Sequence, residues 1–282
     1  MSVKVIRKTE EPSCRAAVPG ALVLPARIRQ KISGKAYQAN GIGLSGASVL
    51  MMDDCVLKIA PYRKKNEETV EVMRWLEGKL PVPKVLAYEC EGDRQYLLMS
   101  RVPGKMACDP FCMERPETLI SGLAEALKLL WSVDVTGCPR IRSMDTELEE
   151  ARYRVENHLV NMDNAEPSTF GPRGFKDPED LLHWLEQNRP PYEPVLSHGD
   201  FCLPNVFFDG GRISGFIDLG DTGVGDKWRD IALCYRSLRW NAEGVYGGSV
   251  YPDIRSEKLF DALGIAPDPE KLRYYILLDE LF

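Results

Sequence analysis

Only three histidines occur in the 282 residues, and none lies near Cys108 and Cys112, the one close pair among eight cysteines. A structural zinc needs His or Cys ligands at short spacings, so zinc is set aside. The other cysteines are scattered, and several sit in apolar runs such as Asp54-Cys55-Val56-Leu57, the pattern of reduced buried thiols rather than of a disulfide framework. Positive charge is also short. With 36 Lys and Arg against 42 Asp and Glu, the formal net charge is −6, and the basic footprint that phosphate backbones require is missing. No nucleic-acid partner is expected. No window approaches the roughly 18 uncharged apolar residues of a membrane span, and residues 1–14 lack the apolar run of a signal peptide. The expectation is a cytoplasmic protein without membrane attachment, working as a monomer or weak dimer.

At about 150 residues per domain, this length suits one large domain or two lobes. Residues 1–24 mix charged and small residues with no sustained period and read as an extension. Pro25-Ala26-Arg27-Ile28-Arg29-Gln30-Lys31-Ile32 predicts a short helix. A Gly- and Ser-rich stretch then leads to Val49-Leu50-Met51-Met52, a turn at Asp53-Asp54, and Cys55-Val56-Leu57-Lys58-Ile59, a hairpin. Apolar residues at 70, 73, 76 and 80 predict an amphipathic helix over 66–80. Val85-Leu86-Ala87-Tyr88-Glu89-Cys90 and Gln95-Tyr96-Leu97-Leu98-Met99-Ser100 predict two more strands. Beyond residue 103 helical periodicity dominates, across 119–133, 146–160 and 178–187, and residues 164–178 form a long Pro- and Gly-rich loop. The expected organisation is α+β and bilobal: an extension (1–24), a small β-rich nucleotide-binding lobe (25–102), and a larger helical lobe (103–282) carrying catalysis and substrate binding.

The chemistry is concentrated in Ser197-His198-Gly199-Asp200-Phe201-Cys202-Leu203-Pro204-Asn205, followed after an Asp209-Gly210-Gly211 turn by Gly215-Phe216-Ile217-Asp218-Leu219-Gly220. An Asp and an Asn five apart on a short loop, then an Asp 18 positions beyond the first at a strand end, is the pattern of kinase chemistry. Phosphoryl transfer needs a carboxylate to orient and deprotonate the attacking hydroxyl, oxygen ligands that hold Mg²⁺ on the phosphates, and a cation against the departing diphosphate. Asp200 suits the first role, and Asn205 and Asp218 suit the second. Lys58, the one lysine of the first lobe inside a strand-like apolar run, is the candidate phosphate cation. The loop Asn40-Gly41-Ile42-Gly43-Leu44-Ser45-Gly46-Ala47-Ser48 can approach phosphates through backbone N–H groups, with the Ser45 hydroxyl beside them. His198 is expected to bond the loop backbone rather than act as a base.

At these residues the chain resembles the aminoglycoside 3′-phosphotransferases, antibiotic kinases of protein-kinase-like fold. The resemblance runs from about Pro25 to Phe282. It is carried by Trp75-Leu76-Glu77-Gly78-Lys79-Leu80-Pro81-Val82-Pro83, Asp226-Lys227-Trp228-Arg229-Asp230 and the terminal Tyr274-Tyr275-Ile276-Leu277-Leu278-Asp279-Glu280-Leu281-Phe282. It implies an N-lobe of five strands and one helix, ATP with Mg²⁺ in the cleft, and adenine at a hinge of Met99, Ser100 and Val102. By the same resemblance the ammonium groups of an aminoglycoside would meet Glu280, the Phe282 carboxylate and Glu166, with Asp200 at the acceptor hydroxyl. The chain departs from the family at four points. Thr69 stands where a helix glutamate pairs with the strand lysine, leaving Glu68 and Glu71 as substitutes. Val56 replaces an aromatic beside adenine, Asp221 replaces an Arg, and Trp240-Asn241 replaces an acidic pair. These departures keep two other readings open: a kinase for another small hydroxylated amine or metabolite, and a nucleotide-binding pseudokinase.

Overall fold

Cys55, Leu57 and Ile59 turn inward while Val56, Lys58 and Ala60 alternate to the other face, the period-2 signature of a half-buried strand. In the computed structural model, which describes residues 24–40 and 47–282, this is the central strand of the first lobe. The lobe runs α1 (Ala26–Ile32), β1 (Gln38–Asn40), β2 (Ser48–Met51), β3 (Cys55–Pro61), α2 (Lys64–Leu76), β4 (Val85–Glu91) and β5 (Arg94–Ser100). The five strands pair antiparallel in the order β1-β2-β3-β5-β4. One face of the sheet buries Leu57, Ile59, Tyr96 and Leu98 against Ile28 of α1. The other face, with Leu97 and Met99, packs against the core of the second lobe.

The helix expected over 66–80 begins at Lys64 and stops at Leu76. Glu77 is extended, and Gly78 turns at φ +79° into a segment whose Pro81 and Pro83 cannot continue a helix. Val72, Met73 and Leu76 of α2 join the core of the second lobe rather than that of the sheet.

The second lobe comprises β6 (Lys105–Met106), α3 (Pro110–Met113), α4 (Pro116–Trp131), α5 (Met144–Glu156), α6 (Pro178–Gln187), β7 (Pro194–Ser197), β8 (Val206–Asp209), β9 (Arg212–Phe216), β10 (Gly223–Asp226), α7 (Lys227–Ala242), α8 (Lys258–Leu263) and α9 (Pro269–Asp279). Leu119, Leu123, Leu127 and Leu130 form the buried stripe of α4, and each such side chain contributes about 1.5–3 kcal/mol on burial. The Ser143 hydroxyl caps α5 by accepting the Thr146 N–H at 3.3 Å, and the helix ends at Glu156, short of the expected 160, because His158 turns to φ +54°. Two small sheets carry the loops of interest: β7 with β10, and β6-β8-β9, all antiparallel. Among the described residues, no helix is long and apolar enough to cross a membrane.

Candidate active site

The loop after β7 is built outward from Asp230, a fully buried side chain on α7. Its carboxylate accepts the Ser197 hydroxyl at 3.0 Å and the N–H groups of His198 and Gly199 at 2.8 and 2.9 Å. Burial pushes this carboxyl up, and those donors act against it. Gly199 takes φ +82°, and a Cβ there would lie 2.3 Å from the Asp221 carbonyl oxygen. Gly199→Ala is therefore expected to lower stability by about 1–3 kcal/mol, the usual cost of an over-determined backbone. Thermal unfolding checks this; an unchanged Tm would contradict the close approach.

His198 is buried, with Nε2 3.0 Å from the Ile217 carbonyl oxygen and Nδ1 accepting the Asp200 N–H at 3.3 Å. This pattern assigns a neutral ring protonated at Nε2. The ring ties the Asp200 loop to the Asp218 loop, and neither nitrogen is left for proton transfer. Asn205 completes the link. Its Nδ2 donates to Asp200 Oδ2 at 2.9 Å and to the Asp200 carbonyl at 3.0 Å, while its own carbonyl accepts the Ile217 N–H at 3.0 Å. Asp218 follows in the left-handed region, φ 57° and ψ 61°, with Oδ1 3.6 Å from Lys58 Nζ. The two side chains are 56% and 35% exposed, respectively. A pair so open to water contributes about 0–1 kcal/mol, which leaves both groups free to exchange each other for a ligand.

Val56 and Lys58 share a face of β3, and Met99 of β5 lies directly across from Val56. Ser100 uses its N–H on the Lys84 carbonyl and its hydroxyl on the Lys84 N–H, both at 2.9 Å. Val102 is buried against Gly215, where a Cβ would lie 2.6 Å from Val102 Cγ1. Among the described residues, the Val102 N–H has no hydrogen-bond acceptor. Ser45 lies outside the described residues. Glu68 needs a correction as the Lys58 partner. It faces Lys64 at 3.9 Å, and the carboxylate beside Lys58 is Asp218. The physical reason is helical: one residue is about 100° of rotation, which carries Glu68 away from Thr69's direction, and its side chain is 45% exposed.

A second group of carboxylates lies at the end of α9. Glu280 accepts the Glu166 N–H at 3.1 Å and faces Arg236 at 3.6 Å; Arg236 also pairs with Asp279, and Arg239 lies 3.8 Å from Glu166. The terminal Phe282 has its own cation, its main-chain oxygen accepting from Arg154 Nη2 at 2.6 Å. Burial pushes the Cys202 thiol well up, and the charges of Asp200 and Asp279 act in the same direction. Arg236 and Asp279 were not singled out from sequence, although Asp279 adjoins Glu280. The Arg236 guanidinium lies over the Trp240 ring, Tyr246 meets that ring edge-on, and the Asn241 amide turns back to the Ser237 carbonyl at 2.8 Å.

Burial pushes the Glu280 carboxyl up to about 7 against the opposing pull of Arg236. Its ordinary value is 4.5, so between these values the folded protein keeps a proton that the unfolded chain has lost. The stability this proton supplies is complete below the ordinary value and is lost as pH rises through about 7. Glu280→Gln, which mimics the protonated form, should raise Tm over the parent by an amount that grows from about pH 5 to 8. An increment independent of pH would contradict this assignment.

For Mg²⁺ the donor set is an amide oxygen and one carboxylate. Asn205 donates through Nδ2, leaving Oδ1 uncommitted among the described residues, and the Asp218 carboxylate is more than half exposed. No group of three His, Cys, Asp or Glu residues suited to a metal occurs among the described residues. The set fits an ion held jointly with phosphate and water, as Mg²⁺ is, and not a closed protein cage.

The model of the Phosphotransferase enzyme family matches residues 37–273. An aminoglycoside 3′-phosphotransferase of Enterococcus faecalis is 43% identical over 236 residues, covering 83% of this chain and 84% of its own. One from Staphylococcus aureus is 41% identical over 251 residues, covering 85% and 91%. Among solved structures, an aminoglycoside-3′-phosphotransferase of type VIII superposes with a TM-score of 0.76 at 26% identity, covering 90% of this chain and 96% of that one. A Streptomyces rimosus aminoglycoside phosphotransferase in complex with ADP and streptomycin gives 0.73 at 25% identity, with the same coverage. The two lobes are thus those of the protein-kinase-like fold of these enzymes. Matched by that model over most of its length, and more than 40% identical to relatives of which it covers 84% and 91%, the chain belongs to the phosphotransferase enzyme family, beside the aminoglycoside 3′-phosphotransferases.

Proposed function

We propose that this chain is an ATP-dependent O-phosphotransferase acting on the 3′-hydroxyl of aminoglycoside antibiotics, thereby conferring resistance to them. The observation that carries the reading is a chain of contacts: Asn205 holds Asp200, the Asn205 carbonyl accepts the N–H of Ile217 beside Asp218, and Asp218 faces Lys58. Asp200, with Oδ2 held by Asn205, keeps Oδ1 available to orient the acceptor hydroxyl and take its proton as the oxygen attacks. Lys58 exchanges Asp218 for the phosphates. Adenine lies against Val56 and Met99, with the Val102 N–H as a donor to its ring. Asn205 and Asp218 would hold Mg²⁺, which when bound neutralises charge on the phosphates. Glu166 and Asp279 supply the anionic side that ammonium groups require, with the Glu280 carboxyl beside them, since charge-assisted hydrogen bonds both bind and orient such groups. Two relatives named for this activity at more than 40% identity support the substrate class.

The test is ADP release by purified protein with Mg-ATP and a panel of aminoglycosides, paired with matched compounds that lack the 3′-hydroxyl. Release only with the hydroxyl present is expected. ADP binding without release for any member would overturn the substrate class. A second reading, a kinase for another hydroxylated amine, is favoured by one observation: at Trp240 and Asn241 α7 offers an aromatic and a self-satisfied amide instead of carboxylates. Turnover of small amino alcohols in preference to aminoglycosides would establish it.

A further inference from the structure

Arg140 is a buried guanidinium, 9% exposed, that forms no ion pair among the described residues. Its Nη1 reaches the carbonyl oxygens of Gly220 at 2.8 Å, Thr222 at 3.2 Å and Leu219 at 3.5 Å. Its Nη2 donates to the Lys65 carbonyl at 3.2 Å and to the Thr69 hydroxyl at 3.0 Å. Burial lowers the pKa of this group, with Asp221 acting against that loss. A buried cation satisfied by neutral oxygens carries several kcal/mol of desolvation, and an apolar side chain of similar volume would commonly fold as well or better. Stability alone does not account for it.

The contacts join two elements of the site. Lys65 and Thr69 lie on α2, and residues 219–222 are the turn that follows Asp218. The base of Arg140 is itself fixed to β10, since its carbonyl accepts the Val224 N–H at 2.9 Å and the Arg142 N–H returns to the Val224 carbonyl at 2.7 Å. Thr69 is set to receive it. Its hydroxyl donates to the Lys65 carbonyl at 2.8 Å, which leaves its oxygen free to accept. No α2 carboxylate reaches Lys58: position 69 holds Thr, and Glu68 faces Lys64. Lys65 makes a parallel tie to Asp221 at 2.7 Å.

We propose that Arg140 is a positioning residue for phosphoryl transfer, which sets α2 against the Asp218 turn and so performs the coupling that a helix carboxylate on Lys58 would otherwise provide. The inference rests on the reading of Asp218 and Lys58 given above. Asp218 is held in a left-handed conformation that L-residues rarely adopt. Three of the next four carbonyls converge on one guanidinium, so removing that guanidinium frees the turn and misaims the carboxylate.

The experiment uses Arg140→Met, Arg140→Lys and Thr69→Val in the full chain, with Asp200→Asn as control. Arg140→Met is expected to lower kcat by about 100-fold, the effect of a displacement near 1 Å, with the aminoglycoside KM little changed. Calorimetric titration with ADP supplies a readout independent of turnover: the gain in ADP affinity on adding Mg²⁺ should shrink by about 10-fold in Arg140→Met. Arg140→Lys should recover part of both, because one ammonium cannot serve both elements at once. Thr69→Val, which leaves every charge in place, should shrink the Mg²⁺-linked gain by about 5-fold, one lost hydrogen bond, and it decides the matter if Arg140→Met does not fold. A folded Arg140→Met, or Thr69→Val, with an unchanged Mg²⁺-linked gain would overturn the proposal. If Asp200→Asn keeps full turnover, the reading of the site itself fails; if it loses turnover while the Arg140 and Thr69 variants match the parent, only the present inference fails.

Discussion

Asp200→Ala is expected to lower kcat by about 10³- to 10⁴-fold, the upper range for a positioned general base, while ADP still binds. The size follows from the geometry. Asp200 is held by the Asn205 amide at 2.9 Å and, through its own N–H, by His198, so its carboxylate is aimed before substrate arrives. Among the described residues, no second base is in place. The His198 nitrogens are both engaged with main-chain groups, and Asp218 faces Lys58. The nucleotide contacts proposed above are Val56, Lys58, Met99 and Val102, none of which touches Asp200, and so affinity for ADP should stay within about 3-fold, under 1 kcal/mol. Steady-state kinetics with calorimetric ADP titration checks both halves. Turnover reduced less than about 10-fold would remove Asp200 from the proton-transfer role.

Glu147→Ala is expected to produce the largest loss of stability, about 3–5 kcal/mol. The Glu147 side chain is 5% exposed and stands between two buried guanidiniums, Arg142 at 2.5 Å and Arg229. Truncating it leaves two desolvated cations facing one another, because the remaining partners of Arg142 are the more exposed Glu150 and Asp221. Burial pushes Asp221 up, but Lys65 and Arg142 outweigh this and hold it at about 2, so it stays anionic and cushions only part of the loss. Against a total stability of about 5–15 kcal/mol, such a change is a large fraction. For a chain of this size it corresponds to a fall in Tm of roughly 6–15 °C. Arg229 also donates to the Gly199 carbonyl at 2.7 Å, so activity should fall before the global transition as the loop loosens. A Tm shift under about 2 °C would show that the pair is solvated rather than buried.

The strand-loop-strand proposed to carry catalysis was legible as a unit because its contacts are local. Asp200, Asn205 and Asp218 occupy one hairpin and its flanks, and their spacing survives as geometry: Asn205 touches Asp200 directly and Ile217 through its carbonyl. The strand position of Lys58 was legible from the apolar run around it, and in β3 it lies on the face opposite Leu57. The end of α2 was less so, since Leu80 continues the apolar period after Gly78 has already broken the helix. Glu68 failed because the match depends on rotation around a helix axis, and one residue is enough to turn a carboxylate to solvent.

What the amino-acid sequence determined by itself is the class of chemistry, the order of the two lobes and the identity of the residues on the Asp200 hairpin. Short-range spacing and strand period are properties of a chain segment, and they hold wherever that segment is placed. Tertiary structure alone decided who partners whom across the fold. Arg140 meets Gly220 across 80 residues of sequence, Arg229 meets Glu147 across 82, and Glu166 meets Glu280 across 114. Nothing in local composition separates these charges from the many solvated ones in the chain, because the pairing is set by how the helices and loops pack. Burial then gives those pairs their energetic weight, since two charges removed from water must satisfy one another or destabilise the fold.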